Sequence, residues 1–156
     1  MSTGEQQEPQ QQPQQLSEEA IEYARQFFDA ARRGDVGFME EPLKAGLPAN
    51  LTNSSGDTLI MLAAYHGHPE AVSLLLKHGA DPNRLNDRGQ SPLSGAVYKN
   101  EEAVIEALLA GGADPFIGSP NAWVSAKMFG QKKWEERFEQ TRKLDDDQQQ
   151  TSMQSA

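Results

Sequence analysis

The 156-residue chain contains no cysteine. That removes disulfides, thiolate metal sites and cysteine nucleophiles together, and it fits a reducing, cytoplasmic or nuclear compartment. Aromatic residues make up 7% of the chain, and no apolar run approaches the length of a membrane span. The first residues show no basic region followed by an apolar stretch, so no secretory signal is expected. Two glycosylation-type triplets, Asn50-Leu51-Thr52 and Asn53-Ser54-Ser55, are therefore read as chance matches. Basic residues are also in deficit. Lys and Arg number 14 against 23 Asp and Glu, a formal net charge of -9. Long-range repulsion then disfavours nucleic acid and anionic membrane as partners. No phosphate-cradling glycine loop and no nucleophile elbow appears, and no carboxylate pair is set in a recognisable cleft, so neither an enzyme nor a cofactor is expected. His66, His68 and His78 all fall in one repeat, but the pair His66 and His68 has no obvious third ligand, and no metal site is assigned to them.

What the chain does contain is a repeat. Gly56 falls on Gly89, Thr58 on Ser91, Ala63 on Ala96, Leu75 on Leu108, and Gly79-Ala80-Asp81-Pro82 on Gly112-Ala113-Asp114-Pro115, always thirty-three residues apart. Each copy reads as two short helices. Thr58 or Ser91 can cap the first, whose inward residues include Ile60, Ala63 and Ala64, or Leu93 and Ala96. After a break at Gly67-His68-Pro69 or Asn100-Glu101-Glu102, a second helix carries Ala71, Val72, Leu74, Leu75 and Leu76, or Val104, Ile105, Leu108 and Leu109. Gly79 and Gly112 stand where a helix end needs a left-handed residue. Neither helix pair can bury its own face, so the copies must stack into one continuous core.

The run Gly56-Asp57-Thr58 through Leu62-Ala63-Ala64-Tyr65-His66-Gly67-His68 and Leu74-Leu75-Leu76-Lys77-His78-Gly79-Ala80-Asp81-Pro82-Asn83 resembles the ankyrin repeat consensus. The second copy keeps Pro92 but has Ser94 at the signature histidine and Asn100 at the inter-helix glycine. The first has Leu59 at the proline and Met61 at the histidine, so the hydrogen bond that histidine would supply is expected to be missing. The resemblance implies an all-α, ankyrin-type solenoid of stacked helix-turn-helix repeats with short hairpin-like connectors.

Register extends the pattern both ways. Ser17, with Glu18 and Glu19 behind it, can cap a helix bearing Ile21, Ala24, Phe27, Phe28 and Ala31 and ending at Gly34. Residues 17-52 form a divergent first repeat whose Glu19, Glu22, Arg25 and Asp29 suit an end of the stack, and Pro42 should kink or shorten its second helix. Residues 53-85 and 86-118 are the two full repeats. Residues 119-143 form a C-terminal cap: Val124 to Gly130 resembles a first helix and Lys133 to Lys143 a second, with Trp134 and Phe138 packed on the last full repeat. Gly130 arrives three residues early, so the connector before it is short. The Gln-rich residues 1-16, seven of them glutamine, and the acidic, Gln-rich residues 144-156 are expected to be disordered tails.

Stacks of this family present a concave face of connector tips and first-helix ends, which implies a monomeric, non-catalytic module binding a protein partner. Four successive pairs precede the inter-helix glycine: Arg32-Arg33, Tyr65-His66, Tyr98-Lys99 and Met128-Phe129. The connector positions beside them are Ser54, Ser55, Asp57, Leu85, Asp87, Arg88 and Gln90. Tyrosine, arginine and apolar side chains are what interface centres favour. Between Asn53 and Gly118 eight acids face four bases, which would draw in a basic client, whereas the stripe itself is locally basic and suits an acidic or aromatic-rich segment. A dedicated escort or regulatory subunit for one basic client or enzyme is the alternative, and a small metal protein or enzyme the remaining one.

Overall fold

Thr58 is held in extended backbone, and its hydroxyl accepts the Met61 N–H at 3.2 Å; Ser91 does the same for Ser94 at 3.1 Å and Ser17 for Ala20 at 3.2 Å. Each cap satisfies a donor that the first helical turn cannot. In the computed structural model, which describes residues 17–154, these caps open the inner helices α1 (Glu18–Arg33), α3 (Leu59–Tyr65) and α5 (Pro92–Lys99). Asn121 opens the fourth, α7 (Ala122–Met128), its side chain accepting from Val124 at 2.8 Å. The outer helices are α2 (Val36–Lys44), α4 (Pro69–Lys77), α6 (Glu102–Ala110) and α8 (Lys132–Gln154).

The inner helices pack side by side in the order α1, α3, α5, α7, the outer ones as α2, α4, α6, and α8 closes on α7. Ala30, Ala31, Ala63, Ala64, Ala96 and Ala126 are fully buried between the inner helices, where small side chains permit close approach. Phe27, Leu75, Leu93, Ile105, Leu108 and Phe138 fill the space between layers. In α8, Trp134 and Phe138 are buried with rings stacked 6.2 Å apart. At the opposite end Glu19, Glu22, Arg25 and Asp29 are all exposed.

The connectors are hairpin-like, although no strand forms among the described residues. Asn53 N–H bonds to the Asp57 carbonyl at 3.1 Å and Asn86 N–H to the Gln90 carbonyl at 3.0 Å. Behind them runs an asparagine ladder. Asn50 donates to the Gly79 carbonyl at 3.2 Å and accepts from Asp81 N–H at 2.8 Å; Asn83 repeats both bonds with Gly112 at 3.1 Å and Asp114 at 2.7 Å. The ladder stops where the register reaches Phe116, whose ring meets Trp123 at 6.0 Å instead. Both glycosylation-type asparagines, Asn50 and Asn53, thus have side chains engaged in internal hydrogen bonds.

Three expectations are corrected. Pro42 does not shorten α2, which has nine residues like α4 and α6. The ring removes one donor close to the helix end, where Ala45, Gly46 and Leu47 N–H groups still close the last turn. A bond is not absent at both signature positions: in the third repeat the Ser94 hydroxyl donates to the Pro120 carbonyl at 3.1 Å. Residues 144–154 continue α8 as helix, since no glycine or proline interrupts Lys132 to Gln154 and the run is rich in Gln, Lys and Glu. The segment 1–16 lies outside the described residues, as do the last two.

Gly34 is one place where one repeat meets the next tightly. Its φ of 71° is left-handed, and a Cβ there would lie 2.5 Å from His68 Cγ and Nδ1. The His68 ring is in turn 2.7 Å, through Nε2, from the Arg32 carbonyl. Gly34→Ala is expected to destabilise the fold by about 2–3 kcal/mol, from left-handed strain plus displacement of His68. Equilibrium urea unfolding measures it; an unchanged midpoint would show that the ring moves aside freely. Asn100, with φ of 55°, fills the equivalent turn one repeat beyond Gly67, as asparagine tolerates.

Candidate functional site

Because the side chain at i−4 lies under the one at i on a helix, the exposed ends of α3 and α5 place Met61 beneath Tyr65 and Ser94 beneath Tyr98. With Arg32 of α1 and Met128 and Phe129 at the end of α7, these form the wall and floor of one groove of about 600 Å³ running across the four inner helices. The connector side is closed by Asp57, Asn86, Arg88 and Gln90.

The connectors are held rigid by a buried asparagine. Asn86 is 6% exposed; its Oδ1 accepts from Arg88 N–H at 3.0 Å and Gln90 N–H at 2.9 Å, while Nδ2 donates to Asp57 Oδ1 and Gln90 Oε1, both at 2.9 Å. Asp57 therefore ties one connector to the next as well as facing the groove. Above it the aromatic side chains stand in contact with their neighbours. Tyr65 meets the His66 ring edge-on at 5.3 Å and Tyr98 meets Phe129 at 5.5 Å. Lys99 Nζ lies 4.8 Å over the Tyr65 ring.

Nine of the fifteen residues read from the sequence line this groove: Arg32, Asp57, Tyr65, His66, Arg88, Gln90, Tyr98, Met128 and Phe129. Six do not, among them Ser54 and Ser55. Arg33 turns outward to Asp35 at 3.8 Å. Leu85 is directed to Gly118, whose Cβ would meet it at 3.3 Å. Asp87 donates its N–H to the Ser55 carbonyl at 3.1 Å, and its carboxylate lies against Gly56. Lys99 forms the rim through Tyr65. Sequence reasoning missed the floor: Met61, Leu62, Ser91, Ser94, Gly95, Pro120 and Ser125. In sequence Met61 and Ser94 stand out only as consensus departures, yet their spacing of four from each tyrosine is the available signal.

The groove offers ring faces, a thioether and cationic groups, the means of recognition by area and charge. Its floor hydroxyls are engaged: Ser91 caps α5, and Ser94 lies 3.4 Å from Ser125. Among the described residues no three His, Asp or Glu side chains converge on a point that could hold a metal ion, and no helix is long and apolar enough to cross a membrane.

His66 carries the groove's titration. Partial burial, then the charges of Arg32, His68 and Lys99, hold its imidazole below the ordinary value of 6.5. An unfolded chain takes up that proton more readily. The contribution to stability is thus present above about pH 6.5 and lost as pH falls from there to the lowered value. Because the ring is largely exposed, the loss is expected to be small. Urea unfolding at about pH 7.5 and 5.5 checks it: His66→Gln should reduce the acid loss, and an equal loss in both proteins would assign the effect elsewhere.

Comparison with known proteins places residues 27–118 in a match to the family model for ankyrin repeats, three copies. A curated ankyrin repeat protein of Pseudomonas aeruginosa is 49% identical over 59 residues, which is 38% of this chain and 34% of that protein. The crystal structure of the human ASB11 ankyrin repeat domain aligns with a TM-score of 0.55 at 26% identity, covering 57% of this chain and 40% of that one. The matches thus span about a third of the curated relative and two fifths of the solved domain.

Proposed function

Since the chain belongs to the ankyrin repeat family, whose repeats generally serve as protein–protein interaction modules and are typically non-catalytic, we propose that it binds a partner protein in the groove across α1, α3, α5 and α7. The observation that carries this reading is the exposure of large side chains in one place. Tyr98, Met128 and Phe129 are 59%, 68% and 48% exposed, and Tyr65 stands beside them at 39%. Apolar area grouped in a concavity and bordered by cations is favourable to cover.

The groove is also pre-formed. Internal hydrogen bonds of Asn86 and the helix caps hold its walls, which lowers the ordering cost of binding. Affinity capture from a cell lysate at physiological salt tests the reading, with the wild type beside the Tyr65→Ala, Tyr98→Ala double variant. A protein retained by the first and lost by the folded second is expected. Equal retention would move the binding face to the outer helices or the chain ends.

A further inference from the structure

The groove is not uniform along its length. Over α1 and α3 its charges are mainly cationic: Arg32 lines it, Arg88 enters from the connector and Lys99 reaches back over Tyr65, with Asp57 as the lining carboxylate. Arg32 is bonded to Asp29 at 2.8 Å and Asp57 to Asn86, but among the described residues neither Arg88 nor Lys99 has a carboxylate within ion-pair distance. Over α5 and α7 the lining is Tyr98, Met128, Phe129, Gly95 and Pro120 with the hydroxyls of Ser91, Ser94 and Ser125, and no charged side chain.

Resting on the reading of this groove as the protein-binding face, we propose that its occupant is an extended peptide segment of the partner, with carboxylates at one end and an aromatic or long aliphatic anchor about six residues away. Charge complementarity selects the carboxylates, which would lie over α1 and α3 near Arg88 and Lys99. The anchor would fill the space between Tyr98, Met128 and Phe129, where ring and thioether contacts are available. The spacing follows from geometry. Neighbouring helices pack about 8–10 Å apart, so α3 to α7 is roughly 20 Å, and an extended chain covers about 3.3 Å per residue. The net charge of -9 does not oppose this at contact, because its field is screened over about 8 Å at physiological salt while the groove's own cations act directly.

Selection from a phage-displayed library of random peptides, each about twelve residues long to exceed that span, on the full chain tests the chemistry. Peptides enriched on wild type but not on the Tyr65→Ala, Tyr98→Ala variant are expected to hold Asp or Glu at one end and Phe, Trp, Leu or Met about six residues on. A synthetic copy of the most enriched peptide should bind Arg88→Glu, Lys99→Glu about tenfold or more weakly, and Arg88→Gln, Lys99→Gln by an intermediate factor, with thermal melting confirming that each variant is folded. Groove-dependent peptides that are neutral or basic, or that ignore the charge reversal, would overturn the proposed chemistry while leaving the groove as the binding face. Failure of any peptide to depend on the two tyrosines would overturn both.

Discussion

Leu75→Ala is expected to destabilise the protein by about 2–5 kcal/mol, the cost of lost transfer energy plus the cavity left in a core that relaxes only in part. Leu75 is 0% exposed on α4, the outer helix that packs against both α2 and α6. Its neighbours cannot refill the space, since Leu74 and Leu76 point to other sides of the same helix and are only partly buried. A stack gains its stability from contacts between adjacent repeats, so damage in the second repeat weakens two interfaces at once. A loss of about 3 kcal/mol should lower the melting temperature by roughly 10 °C. Leu108, in the same place one repeat on and equally buried, should respond alike. Urea unfolding followed by circular dichroism measures both. A Leu75→Ala midpoint within the scatter of surface substitutions would mean that the stacking account of the core is wrong.

Tyr65→Ala combined with Tyr98→Ala should separate binding from folding. Large rings at the centre of an interface each contribute about 2 kcal/mol or more, so partner affinity should fall roughly a hundredfold or beyond. The fold should lose much less than with Leu75→Ala. Tyr65 gives up the Lys99 contact at 4.8 Å and Tyr98 the edge contact with Phe129 at 5.5 Å, each about 1 kcal/mol. Both rings already spend much of their surface in water. Calorimetric titration with the captured partner, run beside thermal melts, reads the two effects on one sample. Unfolding of the double variant, or binding equal to wild type, would remove the tyrosines from the proposed site.

Local signals accounted for most of the helices. Capping residues at Ser17, Thr58 and Ser91 and glycines at Gly34, Gly79 and Gly112 lie where backbone donors and left-handed turns demand them, and such demands act over a few residues. The early Gly130 correctly implied a short connector, for Asn121 caps α7 thirty residues after Ser91. Composition and local pattern differ after Lys143: acidic and Gln-rich residues predict a tail, whereas helix-forming side chains carry α8 to Gln154.

The candidate groove was legible along the chain but not across it. Pairs before each inter-helix glycine predicted which first-helix ends share a face, because the thirty-three residue register repeats the same orientation at every step. Sequence periodicity therefore established the repeat family, the helix pairs and the wall of the groove, all properties that depend on residues near one another in the chain. It did not reveal that Asn86 ties Asp57 to Gln90, that Lys99 covers Tyr65, or that Arg33, Leu85 and Asp87 turn away. Those depend on how far apart the helices sit and which rotamer fits the gap, and distance between repeats is set by packing, which no spacing along the chain encodes.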